Sequence, residues 1–255
     1  MRLLNTTTLR LEEFEMGYDG SRRPEFAILS HRWAKDEVTY QDMLRGPRAD
    51  TAGYRKLYSL CRFARGKGAK WIWCDTCCID KTSSAELSEA INSMWSYYRN
   101  ATACYAYLGD LPAAMYRAAK IWVRDANRDK GHMRLSAEAT QTLAGSAWFT
   151  RGWTLQELLA PKYVLFLNRD WVPLGTKAEM AGEISEITGI PARYLRSPER
   201  ISEASVAMRM SWVSRRVTTK YEDMAYCLLG IFDVNMPLLY GEGKKAFMRP
   251  QLEII

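Results

Sequence analysis

The chain has 255 residues, enough for one large domain or two small ones with an ample core. Hydrophobic residues make up 47% and charged residues 25%, the balance of a globular protein rather than a disordered or fibrous one. The net charge of +7 comes from 36 basic and 29 acidic residues, but the basic ones form only short groups such as Arg62-Arg65-Lys67, Arg215-Arg216 and Lys244-Lys245. Such scatter makes a solvated, mildly basic surface and argues against a nucleic-acid tract. No stretch reaches the roughly 20 apolar residues of a membrane span. The N-terminus MRLLNTTTLRLEEF carries charges where a secretory signal needs an apolar segment. A soluble intracellular, cytoplasmic protein is expected, with the thiols of its six cysteines reduced.

In chain order, the first strong signal is FAILS (26–30), an apolar run that reads as a strand buried on both faces. It runs straight into Ser30-His31-Arg32-Trp33, a hydroxyl, an imidazole, a guanidinium and an indole in succession. Tyr54, Leu57, Tyr58, Cys61 and Ala64 then mark an amphipathic helix over 53–65, stopped by Gly66 and Gly68. A second buried strand, WIWCD (71–75), leads into Asp75 through Asp80. Its Cys74-x-x-Cys77 has no second cysteine pair and no spaced histidines, since His31 and His132 are the two in the chain. Small buried thiols are therefore expected there, and no metal. A helix over 84–99 follows a Ser83 to Glu86 capping box, and ACYAYLG (103–109) is a third strand. Asp110 and Pro112 are expected to open another helix that ends near 127–132.

WFTRGWTLQELLAP (148–161) is the second informative stretch. Stepping about 100° per residue from Trp153 to Leu159 puts Leu155, Leu158 and Leu159 on one side. Trp153 and Glu157 share the opposite face, as expected where a helix lines a cleft; a Trp packed under another element beside a surface Glu is the blander reading. YVLFLN (163–168) is the fourth strand. Three helical patterns follow, with a Thr176 to Glu179 box and a stop at Gly189, a start at Ser202, and a Thr219 to Glu222 box with a stop at Gly230. Alternating strands and helices argue for βαβ units, so residues 1–175 read as an α/β core with a parallel sheet and 176–255 as a helical part of the same domain. In such sheets ligands bind beyond the carboxyl ends of the strands. Ser30 to Trp33, Asp75 to Asp80, Gly109-Asp110 and Asn168 to Asp170 all fall there.

At these residues the chain resembles a known family. YDGSRRPEFAILSHRW, WIWCDTCCIDK, RGWTLQELLAP and TTKYEDMAYCLLGIFDVNMPLLYGEGKKAF are similar, in that order, to the HET (heterokaryon incompatibility) domain of fungi. That family is implicated in non-self recognition and regulated cell death, often as the effector of a larger receptor with a nucleotide-binding oligomerisation module. It is regarded as a distant relative of TIR domains, which have flavodoxin-like folds and in many cases hydrolyse NAD through a glutamate in a W-x-x-x-E setting. Trp153 to Glu157 is similar to that setting. The resemblance implies Glu157 as the catalytic carboxylate, with Trp153 or Trp33 stacking on a ring and Arg32 pairing with the pyrophosphate. Ser30, His31, Asp75 and Asp80 would complete the pocket. NAD would be substrate rather than cofactor, with no cofactor needed, and activity would accompany self-association. The alternative is a non-catalytic death-signalling module that docks partners. No G-x-G-x-x-G fingerprint is present, and YGEGKKAF (240–247) lacks the spacing of a phosphate-binding loop. Pro250, where the family more usually has an apolar residue, is expected to kink or end the last helix.

Overall fold

A computed structural model describes residues 1–14, 24–46, 49–112, 120–123 and 132–254, with the backbone alone for 120–123 and 132–134. The hairpin β1 (Arg2–Asn5) and β2 (Leu11–Glu13) comes first. It is followed by β3 (Phe26–His31), α1 (Tyr40–Arg45), α2 (Ala52–Gly66) and β4 (Trp71–Trp73). Next come α3 (Asp75–Cys78), α4 (Ser84–Asn100) and β5 (Ala103–Leu108). β6 (Lys120–Val123) and β7 (His132–Leu135) form a separate antiparallel pair. α5 (Ala137–Ala144), a 3-10 turn (Ala147–Thr150), α6 (Thr154–Leu159), β8 (Val164–Asn168) and β9 (Pro173–Thr176) complete the sheet-bearing part. Beyond it lie α7 (Ala181–Thr188), α8 (Ala192–Arg196), α9 (Val206–Ser211), α10 (Asp223–Tyr226), α11 (Leu229–Phe232) and α12 (Met248–Ile254).

Seven strands make one sheet in the order β2-β1-β4-β3-β5-β8-β9. The inner four are parallel, with Phe26 opposite Trp71, Ala27 opposite Ala103 and Cys104 opposite Val164. β1 and β2 extend one edge and β9 the other, all antiparallel. Parallel strands covered on both faces need apolar side chains in both directions, and β3, β4 and β8 are buried along their whole length. Taken in chain order, the parallel strands stand as second, first, third, fourth, the arrangement of flavodoxin-like doubly wound sheets. The order reverses between β3 and β5, so their carboxyl ends open a crevice. The three antiparallel strands escaped the sequence reading because they are short, and β9 carries Pro173 and Gly175, poor strand formers.

Several local readings change. Residues 120–123 are strand β6, not the continuation of a helix from Asp110; Ile, Trp and Val there favour extended backbone, while 113–119 and 124–131 lie outside the described residues. Half of the Ser83 box forms, since Ser83 Oγ accepts from the Glu86 N–H, but the Glu86 carboxylate turns away to Arg2 and the Asp80 N–H. The Thr176 to Glu179 box closes in both directions, and Gly189 ends α7 in the left-handed region at φ 72°. The helix expected from Ser202 begins at Val206, capped by Ser205, because a 3-10 turn occupies Pro198–Glu203. Glu222 spends its carboxylate on the N–H groups of Gly241 and Gly243 rather than on a box. Pro250 sits in the first turn of α12, where a missing N–H costs nothing, and the helix runs on.

The C-terminal helices are tied directly to the sheet-bearing part. Asn92 of α4 donates to the Met236 carbonyl and accepts from its N–H, each at 3.1 Å. Val217 forms a parallel bridge with Arg151 just before α6. Gly230 does not stop a helix; it lies inside α11, where a Cβ would come within 2.1 Å of Trp95 Cβ and 2.6 Å of its Cγ. Only hydrogen fits at that crossing. Overpacking of this kind costs ~1–3 kcal/mol, so Gly230→Ala is expected to lower the urea midpoint with an unchanged denaturant slope. A variant as stable as the parent would show that α11 and α4 are not in close contact.

Candidate functional site

A cavity of about 400 Å³ opens beside the carboxyl ends of β3 and β4, within the range that small-molecule sites occupy. His31 closes β3, Asp75 opens α3 after β4, Tyr98 comes from α4, and Trp153 and Glu157 come from α6. The far wall belongs to the C-terminal region, through Asp223 and Tyr240. Apolar side chains of α4, among them Ile91 and Met94, line the remainder.

Glu157 is 7% exposed. Burial pushes its carboxyl up to about 8, with the nearby Asp75 adding to the rise, while hydrogen bonds from Ser30 and Tyr98 and the charge of Arg151 oppose it. Its Oε2 has no hydrogen-bond partner among the described residues. The Ser30 hydroxyl accepts from the Trp148 indole at 2.8 Å, which leaves its own proton for Glu157. The single proton of the Tyr98 hydroxyl is shared between Glu157 and the Leu29 carbonyl, 2.9 Å away. A carboxyl in this setting is short of a cation, and it faces the cavity.

Two buried cations hold the short helix that carries it. At its start, Arg216 Nη1 donates to the Arg151 carbonyl and to Thr154 Oγ1, each at 2.8 Å. At its end, Lys177 Nζ donates to the Leu158 carbonyl at 2.9 Å and to that of Pro161, where the helix carbonyls present negative partial charge. Burial lowers the Arg216 guanidinium to about 10 and the Lys177 ammonium to about 8. The other side chains of α6 are buried as well, so the face that sequence placed on a cleft is roofed by the C-terminal region.

Around the mouth, aromatic rings and cations alternate. Trp33, 49% exposed, donates through Nε1 to Asp75 Oδ2 at 2.8 Å, and Lys81 Nζ lies 3.6 Å from its ring centroid. Tyr240 donates to Asp223 Oδ1 at 2.9 Å, with Lys220 Nζ 4.3 Å from its ring. Burial raises the carboxyls of both Asp75 and Asp223. His31, whose Nε2 lies 3.6 Å from Glu37 Oε1 and whose ring nitrogens have no hydrogen bond among the described residues, is held well below its usual range by burial and by Lys56 and Lys81, and stays neutral. His31, Cys74 and Asp75 offer donor atoms within 4.8 Å of one another, a set that fits a transition metal in kind. Two of the three are already engaged, Asp75 by Trp33 and Cys74 by Thr76.

Of the residues singled out from sequence, His31, Trp33, Asp75, Trp153 and Glu157 line this one cavity, and Ser30 supports Glu157 from behind. Arg32 does not reach it; it lines a neighbouring cavity. Asp80 is absent from both, and its Oδ1 accepts from the Thr82 N–H and hydroxyl. Asn168 is spent on a turn, accepting from the N–H groups of Asp170 and Val172. Sequence reading missed Tyr98, Lys81, Asp223 and Tyr240 as site residues. In the sequence Tyr98 follows Leu87, Ile91, Met94 and Trp95 at helical spacing and so reads as one member of an apolar stripe, and no spacing links Asp223 or Tyr240 to a strand end.

The raised carboxyl has a measurable consequence. Glu157 keeps its proton up to about pH 8 in the fold but loses it near 4.5 when unfolded. Between those values the folded state binds the extra proton, so this contribution is full below about pH 4.5 and fades as pH rises towards 8. At about 1.4 kcal/mol per pKa unit, a few kcal/mol depend on it. Glu157→Gln is therefore expected to melt near the parent at pH 4.5 and several degrees above it at pH 8.5; parallel melting curves across that range would disprove the burial.

Comparison with known proteins bears on the same residues. Residues 26–157 match the family model described as heterokaryon incompatibility protein (HET), a segment that begins with β3 and ends on Glu157. The vegetative incompatibility protein HET-E-1 of Podospora anserina is 44% identical over 224 residues, which cover 87% of this chain and 15% of that protein. The chain thus spans a small fraction of that relative's length. No solved structure matches. With more than half of its length in that match and this identity to a curated member, the chain belongs to the heterokaryon incompatibility (HET) family.

Proposed function

We propose that this domain hydrolyses NAD at the bond between nicotinamide and ribose, as the cell-death effector of a non-self recognition system. The observation that carries the reading is Glu157: an under-solvated carboxyl, facing an aromatic-walled cavity and lacking an ion pair among the described residues. The nicotinamide ring of NAD is a cation, and its arrival would favour the ionised carboxylate. The W-x-x-x-E likeness to TIR hydrolases supports the same assignment.

The chemistry asks little of the protein beyond charge placement. As the C1′–N bond breaks, its electron pair neutralises the departing ring, so no acid is needed, and positive charge spreads over the ribose C1′ and ring oxygen. Ionised Glu157 stabilises that charge, as carboxylates do in glycoside hydrolysis. A water then bonds to C1′ and gives its proton to Glu157 or bulk water, leaving ADP-ribose. Trp153 and Trp33 supply ring faces, while Asp75 is positioned by Trp33. Lys81, Arg151 and Lys220, cations lining this cavity, would meet the phosphate on the nicotinamide side.

Self-association and a partner receptor with a nucleotide-binding oligomerisation module belong to the same proposal. The relative named as a vegetative incompatibility protein is far longer than this chain, which suits an effector domain within a larger assembly. The second reading, a docking module without catalysis, is favoured by the exposure of Tyr221, Leu239 and Leu252 in the C-terminal region.

With the domain fused to an oligomerising scaffold, nicotinamide release is expected, and Glu157→Gln should reduce it at least about 1,000-fold, the order of a lost electrostatic stabiliser. If the scaffolded parent releases none, the docking reading stands instead. The pH profile is a further check. Because the ionised form is the active one, kcat/KM should rise about tenfold per pH unit up to about 8 and then level off; a profile that is flat from pH 6 to 9 would remove Glu157 from the chemistry.

A further inference from the structure

A second cavity, about 520 Å³, lies against the first and is lined by Arg32, Lys35, Lys56, Tyr107 and Trp33 among others. It sits where the order of the parallel strands reverses, between the loop after β3 and Gly109-Asp110 after β5. Ligands of doubly wound sheets occupy that position. Trp33 is a wall of both cavities.

The hydrogen-bonding groups left uncommitted in this second cavity are cationic donors. Its three carboxylates are all committed to the protein. Asp36 caps α2 by accepting from the N–H groups of Ala52 and Gly53, which also removes that helix end as an anion site. Glu37 accepts from the Ala34 N–H and pairs with Lys56. Asp110 accepts from the Ser146 hydroxyl and the Ala147 N–H, each at 2.8 Å. Arg32 and Lys35, by contrast, are exposed and make no ion pair among the described residues. The charges of the lining balance formally, three cations against three carboxylates, but the uncommitted hydrogen-bonding groups are the donors of Arg32 and Lys35, which suit an anion.

Its walls also offer rings. Tyr107 is fixed by stacking on Trp171, with centroids 4.7 Å apart, and by donating to the Arg169 carbonyl. Gly109 gives it room, because a Cβ there would lie 2.8 Å from Tyr107 Cε1. Lys81, a residue of the first cavity, covers one face of the Trp33 indole. Two cations with no ion pair among the described residues, beside fixed aromatic walls, suit a phosphate joined to a flat heterocycle.

We propose that this second cavity seats the adenylate half of NAD, its phosphate on Arg32 and Lys35 and its base against Tyr107 and Trp33. The nicotinamide half then lies beyond Trp33 with Glu157. The proposal rests on the hydrolase reading for the identity of the dinucleotide. It also gives Arg32 the phosphate contact expected from sequence, through the other half of the substrate.

The test is a binding measurement on the full chain by titration calorimetry, with AMP, ADP-ribose and NAD as probes. AMP is expected to displace NAD competitively, and the Arg32→Ala, Lys35→Ala double variant to weaken ADP-ribose at least tenfold. Lys35→Glu, a single exposed change, should weaken it further than Lys35→Ala, and matching melting temperatures would show that folding is intact. Three results would overturn the proposal: no binding of AMP or ADP-ribose, equal binding by parent and double variant, or AMP binding that leaves NAD affinity unchanged, as a separate regulatory nucleotide would. The two readings fail differently. Competition between AMP and NAD without nicotinamide release sinks the hydrolase and keeps the adenylate site. Nicotinamide release that AMP does not inhibit does the reverse.

Discussion

The structure turns on one costly placement, a carboxyl buried at the carboxyl edge of the sheet with no counter-ion in contact among the described residues. Isolated charge in an apolar surrounding is unfavourable by several kcal/mol, and a group so placed keeps its proton unless a cation arrives. The fold tolerates Glu157 there because the helix that carries it is pinned at both ends. Arg216 and Lys177 satisfy backbone carbonyls and the Thr154 hydroxyl around α6, while Ser30, Tyr98 and Trp148 form a hydrogen-bonded backing. Neither cation reaches the carboxylate as a salt bridge. Its shortage of positive charge is preserved rather than cancelled.

That pinning explains why the helical C-terminal region is part of the site rather than an appendage. Arg216 reaches back to α6 from more than fifty residues further along the chain, and Val217 bridges to Arg151 beside it. Asp223 and Tyr240 close the cavity wall opposite β3 and β4. Asn92 and Gly230 bind the same region to α4, one by a two-way hydrogen bond and the other by close approach. A cavity on an open sheet edge would be a shallow groove. The C-terminal region gives it a far wall and makes it a deep cleft.

Much of this was legible in the residues, and the reasons are local. The four parallel strands announced themselves because both of their faces are buried, so each is a short, nearly unbroken apolar run. α2 and α4 showed as apolar stripes of helical period, and α6 placed its Trp and Glu on a common face. Errors arose where a side chain had two uses. Glu86 and Glu222 matched capping boxes by spacing but serve Arg2 and two glycine N–H groups instead, since a long carboxylate takes the better donor that tertiary packing brings. Gly230 looked like a helix stop and is a contact point with Trp95.

Sequence by itself determined the α/β core with its parallel strands and the set of polar residues delivered to one edge of the sheet. It did so because periodicity and strand ends are properties of neighbouring residues. Tertiary structure alone decided that Arg32 and Glu157 belong to different cavities separated by Trp33. It alone brought Asp223 and Tyr240 into the site and buried α6 under cations from distant segments. Those outcomes depend on which remote segments pack together, and the electrostatics of a carboxyl follow from what surrounds it in space, not along the chain.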